Sequence, residues 1–511
     1  MLNIHDIPLD NSLLMQKETS ILLLDGYTVT LNGRSAQVRR CRESALPFNR
    51  QWPGTQRVGD QTKECGFVSF SADEPVKVAV SGNFPAEGAV LRPLASGVIP
   101  AAQGEGKLEF TLDKPGYYVL EFVASPQYLY FLYDAVSSAP AANSVQRYFG
   151  PGLHFPGKIC LNSGDSIYID PAAIVFGSIY GKGVHGVKIF GGGTLHSGME
   201  ERFFEGFYAD RQGSSLKFYD SSDIRISGII VQDSPCWTTS FFGCSDIHID
   251  HLKILGQWKY NTDGIDLVNT DHVEITNSLV HSFDDTIVLK GVDFAMDDPW
   301  ITDHSVSDIV VKGCVLWCGW GRTLELGIET GAPEFARILF ENCDLIHNSA
   351  VCLDLRNGNH ADYHDVTFRD IRIEYQAYAL PEVFQNSDDQ VYRPEDSWFF
   401  QEVDNPNGEG KIAVGVPMLI FADNHRFIQF GKANYGVSKY GSTYDILFEN
   451  IAVTTEPGVP EKLPVRIANL SEESVYRNFT LRNLTVNGKR LTGPGDVAFE
   501  TEGRVENIVW E

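Results

Sequence analysis

Apolar and polar positions alternate in short bursts along this chain, and from residue 221 the bursts repeat. SSDIRISGIIVQDS (221–234), SDIHIDHLKILGQ (245–257), DHVEITNSLVHSF (271–283), SDIVVKGCVLWCG (307–319), ARILFENCDLIHNS (336–349), HDVTFRDIRIEYQ (364–376) and YDILFENIAVTTE (444–456) share one shape. Each is an alternating strand, an Asn, Gly or Asp turn, and a second short strand. Equivalent apolar positions are spaced 23 from Ile224 to Ile247, 26 to Val273, 29 from Ile309 to Ile338, and 28 to Val366. The step from Val273 to Ile309 is 36, which predicts an insertion near Val292–His304. A period of this length with strand content predicts an all-β, right-handed parallel β-helix, in which stacked coils bury one continuous core. The Leu frame of a leucine-rich repeat is absent, and a propeller blade needs about 40 residues.

The first 135 residues carry a different pattern. SILLLDGYTVTLNG, CGFVSFSADEPVKVAVSG, KLEFTLDKPGYYVLEFVA and QYLYFLYDAV are short strands separated by Asn-Gly and Lys-Pro-Gly turns. That spacing predicts a β-sandwich over 1–135, then a linker and lead-in strand over 136–160, then the β-helix over 161–511. Composition narrows the partners. With 41 Lys and Arg against 67 Asp and Glu the formal net charge is −26, which disfavours nucleic acid and anionic membrane surfaces. No stretch reaches 18 apolar residues, and MLNIHDIPLDNSLLMQKETS lacks a basic n-region and a cleavage site. A cytoplasmic location is expected, or a secreted one if a leader has been removed. Nine scattered Cys predict buried thiols rather than a disulfide framework.

A β-helix stacks equivalent residues of successive coils roughly 4.8 Å apart, so carboxylates distant in sequence meet on its surface. Asn261-Thr262-Asp263-Gly264-Ile265-Asp266 precedes Phe283-Asp284-Asp285-Thr286-Ile287-Val288-Leu289-Lys290 by about one turn, with 21 residues between Asp263 and Asp284. Asp263 is expected one rung from Asp284 and Asp285. Three crowded carboxylates repel, so at least one is expected to keep its proton near neutral pH, as a general acid requires. Asp residues elsewhere, as in Ser222-Asp223 and Ser245-Asp246, read as turn caps.

With Ser234-Pro235-Cys236-Trp237 and GWGRTLELG (319–327), these motifs resemble glycoside hydrolase family 28, the polygalacturonases and their relatives. The likeness runs over about 145–490 and is most specific in 230–330. It implies a right-handed parallel β-helix and inverting hydrolysis of an O-glycosidic bond. Asp284 would protonate the glycosidic oxygen, Asp263 and Asp285 would activate water, and Lys290 would lie on the cleft floor. Two departures bear on substrate. The family's Gly-His-Gly falls at Gly319-Trp320-Gly321, and its Arg-Ile-Lys within Leu353-Asp354-Leu355-Arg356. An Asp in place of that Arg would repel galacturonate, so a neutral glycan is expected, with a polygalacturonase as the alternative. The chain is also similar, less closely, to glycoside hydrolase family 49, the dextranase and isopullulanase group. Those enzymes place a β-sandwich before the β-helix, which admits an α-glucan-like substrate.

Further substrate-binding candidates each have a plainer reading. Trp320 and Trp237 offer sugar-stacking faces or fill coil corners. Glu325 should face outward between Leu324 and Leu326. Asp354 and Arg356 share one strand face, and Asn261 opens the first acidic motif. Strict alternation from Asp263 puts Asp266 on the opposite face. Asn49, Arg50, Trp52, Gln56 and Arg57 form a polar-aromatic loop that either reaches the cleft or joins the domains. His281, His304, His347, His360 and His364 do not form a metal pattern. The stretch with Asp293, Asp297, Asp298 and Asp303 lacks the Gly and Glu of an EF-hand loop. No cofactor is expected. A polysaccharide lyase, or a solenoid that binds carbohydrate without cleaving it, remain alternatives, and oligomeric state is left open.

Overall fold

The computed structural model describes residues 1–8, 22–44, 62–123, 125, 127–202, 213–292, 304–379, 384–385, 391–392, 400–404, 411–424, 428–429, 432–433 and 440–511. The loop with Asn49, Arg50, Trp52, Gln56 and Arg57, and the stretch with Asp293, Asp297, Asp298 and Asp303, lie outside these. Two sheets form the N-terminal part. One has six strands, Leu2–Ile4, Arg39–Ser44, Thr62–Ala72, Val90–Arg92, Gly116–Glu121 and Tyr128–Asp134; the other has five, Tyr27–Leu31, Arg34–Ala36, Val76–Gly82, Ala101–Gly104 and Lys107–Leu112. Val29, Leu31, Val78, Val80 and Phe110 of the smaller sheet pack on Phe70, Leu120, Leu129 and Phe131 of the larger.

The larger sheet is buried on its other face too. Cys65, Phe67, Tyr117, Val119, Tyr128, Tyr130 and Leu132 pack on Ile230, Leu255, Leu279, Val315, Trp317 and Ile346 of the β-helix. Both faces of Tyr128–Asp134 therefore need apolar or aromatic side chains, which accounts for the unbroken run Tyr-Leu-Tyr-Phe-Leu-Tyr.

Most of the rest is a right-handed parallel β-helix with three parallel ladders; short antiparallel pairings between 378 and 433 stand apart from it. The first parallel pairings join Arg147–Phe149 to Ser166–Ile169 and Gly152–Cys160 to Ala173–Lys182. Ile224, Ile247, Val273, Ile309, Ile338 and Val366 are direct register partners in one ladder, so the sequence period is the coil. The second short strands, such as Ile230–Gln232, Lys253–Leu255 and Leu279–Ser282, form the ladder against the sandwich. Between those two ladders the chain turns through one left-handed residue per coil: Gly228, His251, Asn277, Gly313, Asn342, Asp370, Asn450 and Asn483, with φ between 48° and 75°. Gly, Asn and Asp dominate because they bear that conformation at least cost. Asp223 and Asp246 are likewise left-handed, at 47° and 53°, inside the strands Ser222–Ser227 and Ser245–Asp250. The third ladder, Thr239–Phe242, Ile265–Val268, Ile287–Gly291, Arg322–Thr330, Val351–Arg356 and Met418–Asp423, comes from the stretches between the repeats and carries the acidic motifs. Among the described residues no helix is long and apolar enough to cross a membrane.

Candidate active site

Ile265, Ile287, Leu324, Leu353 and Ile420 are register partners in the third ladder and point into the core. Their neighbours must face outward, and they form one file: Asp266, Val288, Glu325, Asp354 and Phe421. Three acids thus stand in one line on three coils. Asp263 and Asp285 each precede an inward isoleucine by two residues. The Gly264 N–H donates to Asp285 O at 2.8 Å and Ile265 N–H to Thr286 O at 3.0 Å. Asp263 therefore lies one rung from Asp285. Asp284 is anchored through its carbonyl, which accepts from Ser282 Oγ at 2.6 Å.

The next coil closes over this pair at Gly321. A Cβ there would fall 2.5 Å from Asp285 Oδ1 and 2.6 Å from Asp284 Oδ1. The two oxygens are no further apart than those two lengths laid end to end. Glycine is required at 321 because two carboxyl groups and the Asp285 backbone N, also 2.6 Å away, occupy the space of a side chain.

Cations thread the acids. Lys290 Nζ lies 2.9 Å from Asp263 Oδ2, 3.1 Å from Asp266 Oδ1 and 3.9 Å from Asp285 Oδ2. Its ammonium sits 4.1 Å from the centroid of Trp237. Arg322 donates its backbone N–H to Asp285 Oδ1 at 3.0 Å, with Nη1 at 3.4 Å, and approaches Glu325 at 3.9 Å and Asp354 at 3.7 Å. Arg356 grips Asp354 through Nε at 2.9 Å and Nη2 at 2.8 Å.

The protonation pattern follows from who has a cation. Burial pushes Asp284 well above the carboxylate range, and Asp285 and Asp263 push it further. Burial would raise Asp285 as well, but Arg322 and Lys290 outweigh it and hold Asp285 below its usual value. Asp263 is intermediate: burial lifts it to about 6 against the pull of Lys290. Burial also lifts Asp266, Glu325 and Asp354. For Lys290, burial favours loss of the proton, yet Asp263 and Asp266 hold the ammonium firmly charged. The cluster can therefore present protonated carboxyls, Asp284 among them, beside an ionised Asp285. Arg322, with 22 % of its side chain exposed against 9 % for Asp285, is its most open member.

Of the expected site residues, Asp263, Asp284, Asp285, Lys290, Glu325, Asp354 and Arg356 come together in this cluster. Asn261 sits half-buried in the turn that leads into it, at a left-handed φ of 54°. Trp320 is half-buried and stacked on Phe283 with centroids 5.8 Å apart. Trp237 departs from expectation. Its ring carries Lys290 and stacks on Phe242, and only 8 % of the residue is exposed, so it seats the lysine rather than a sugar. Asp354 is not the free negative charge assumed for it, because Arg356 holds it bidentately. Asp266 is corrected too: it faces outward, on the side of Asp263. The strand starts at Ile265, so alternation counted from Asp263 does not apply. Counting from Ile265 and Leu267 would have placed Asp266 correctly. Arg322 was also missed; its signal was a cation next to Gly321 and three residues from Glu325.

Known proteins resemble this chain in sequence and in fold. The family model "Glycosyl hydrolases family 28" matches residues 150–319. "Probable exopolygalacturonase B" of Aspergillus terreus is 26 % identical over 211 residues, 37 % of this chain and 45 % of that protein. "Exopolygalacturonase B" of Aspergillus niger is 29 % identical over 210 residues, 37 % of this chain and 44 % of that one. The chain thus spans less than half the length of these relatives. The structure of Dex49A from Penicillium minioluteum superposes with a TM-score of 0.59 at 12 % identity, over 95 % of this chain and 94 % of that one, a likeness of fold. The chain resembles glycoside hydrolase family 28.

Proposed function

We propose that the protein is a glycoside hydrolase that inverts the anomeric centre in a single displacement. Asp284 protonates the glycosidic oxygen as the bond to the anomeric carbon breaks. Asp263 and Asp285 take a proton from the water that attacks the opposite face. The observation that carries this reading is the contrast between adjacent residues: Asp285 is held by Arg322 and Lys290, whereas Asp284 makes none of the ion pairs found among the described residues. A buried acid without a cation keeps its proton, and its neighbour with two cations loses it. The printed names of the relatives, and the match to family 28, support the same chemistry.

Two substrate readings each have support. The relatives' names favour a galacturonan chain. The pairing of Arg322 and Arg356 with acids of the protein favours a neutral glycan, because a uronate would have to compete with Asp285 and Asp354 for them. Polygalacturonic acid and dextran, digested with product anomers followed by NMR, separate these. Inverted product from either supports hydrolysis and fixes the class; retained configuration, or an unsaturated product absorbing in the ultraviolet, overturns it. Asp284→Asn should lower turnover of the substrate so found by about 10²–10⁴-fold. An unchanged rate would remove Asp284 as the acid.

A further inference from the structure

Burial forces the charges of this cluster to balance. Asp263, Asp266, Asp284, Asp285, Glu325 and Asp354 face Lys290, Arg322 and Arg356, and each of the six acids is at most 6 % exposed. Six carboxylates against three cations would leave three uncompensated buried charges, which proteins avoid by retaining protons. Asp354 is assigned an ionised state by its bidentate guanidinium, and Asp285 by its two cations. Lys290 stands 2.9 Å from Asp263 and 3.1 Å from Asp266 and offsets one charge of that pair, the shorter contact assigning it to Asp263. Three acids remain for three protons: Asp284, Asp266 and Glu325.

The geometry pairs two of those acids with the proposed bases. Lys290 lies within 3.1 Å of both Asp263 and Asp266, and Arg322 within 3.9 Å of both Asp285 and Glu325. Two carboxyl groups crowded on one buried cation are relieved when one of them carries a proton. Lys290 takes Asp263 Oδ2 and Asp266 Oδ1; the other oxygens, Asp263 Oδ1 and Asp266 Oδ2, are buried with no N–H or O–H donor among the described residues. Glu325 Oε2 is buried and unpartnered in the same sense. These are the atoms a proton would join. Asp266 and Glu325 stand in one outward file, with Val288 between them in register, so each backs a different one of the two proposed bases.

We propose that Asp266 and Glu325 are positioning residues that stay neutral and donate an O–H each to Asp263 and Asp285, holding these two carboxylates in orientation for water. The other charged and titratable groups around them are Glu329 near Lys290, Cys236 near Asp266, and Tyr363 near Glu325. No proton leaves Asp266 or Glu325 in the reaction. The water proton goes to the base they orient, and the leaving oxygen takes its proton from Asp284.

This inference rests on the reading of Asp263 and Asp285 as the bases, but its test needs no substrate. Infrared spectra of the full chain at neutral pH, wild type against Asp266→Asn and against Glu325→Gln, read the protonation state. Each variant should lose one protonated-carboxyl C=O absorption, and the double variant two. Loss of carboxylate absorption instead, from either single variant, overturns the proposal for that residue. Because each amide keeps an N–H donor in place of the O–H, both variants should retain the wild-type fold, checked by circular dichroism. If one does not fold, the other still decides for its own pair. A spectrum that fails leaves hydrolysis standing, and absence of hydrolysis leaves the spectrum standing.

Discussion

Neighbouring residues of one type acquire different chemistry here because their partners differ. Asp284 and Asp285 are adjacent in sequence and equally buried, yet one is driven up by desolvation and the other held down by Arg322 and Lys290. Turnover should therefore rise with pH as Asp263 ionises, around pH 6, and fall at higher pH as Asp284 loses its proton. A pH–rate profile of kcat/KM checks this; a rate still climbing below pH 6 toward acid would contradict it. Gly321→Ala should cost activity and stability together, since its methyl would strike both carboxyl groups and the Asp285 backbone N. Measuring kcat beside the unfolding midpoint tests this; a loss in only one of them would contradict it. The acids were legible in the sequence because NTD and DD recur one coil apart. Arg322 was not, because its role depends on a fold that brings Asp285, Glu325 and Asp354 around one guanidinium. Trp237 was left between two readings because an aromatic ring beside acids looks alike whether it meets a sugar or a lysine.

Strands and turns repeat what the pattern of side chains dictates, but not equally well. The two ladders built from the repeats were legible, since Ile224, Ile247 and Val273 mark their period directly. The third ladder was less so, because its strands lie between the repeats and its outward file is acidic where a surface strand is usually mixed. Its coil from Ile265 to Ile287 is also shorter than those counted from Ile247 to Val273. The turns supply a test. Asn450 adopts φ 56°, donates from Nδ2 to Asp370 Oδ1 at 2.8 Å, and accepts from Asn483 Nδ2 at 2.8 Å. Asn450→Gly should lose only that side-chain ladder. Asn450→Ala should lose it and also strain the backbone, by about 1–2 kcal/mol more. Urea unfolding of both variants measures the difference; equal losses would show that the left-handed turn carries no strain.

At the scale of the whole molecule, the sandwich and the β-helix meet across buried polar groups as well as apolar ones. Tyr130 joins Glu43 of the sandwich to His281 of the β-helix, and Glu43 also accepts the Gly256 N–H at 2.8 Å. Burial lifts Glu43 from 4.5 to about 8. Below pH 4.5 the group is neutral folded or unfolded, so its contribution is then greatest. As pH rises to 8 the unfolded chain releases the proton first, and stability falls by an amount on the order of a few kcal/mol. Glu43→Gln cannot ionise, so its melting temperature should gain on the wild type steadily from pH 4.5 to pH 8; parallel curves would contradict this. Arg92 completes the seam, pairing Glu121 beside it with Glu374 and Glu456 across the boundary. Leu279–Ser282, whose Leu279 and His281 face the sandwich, runs straight into Phe283-Asp284-Asp285. The acid pair thus hangs from a beam whose outer side is roofed by another domain. A shortened version that kept every acidic motif but dropped the roof would turn Leu279, Val315, Trp317 and Ile346 toward water. Such a truncation should fail by clumping before its chemistry could be assayed.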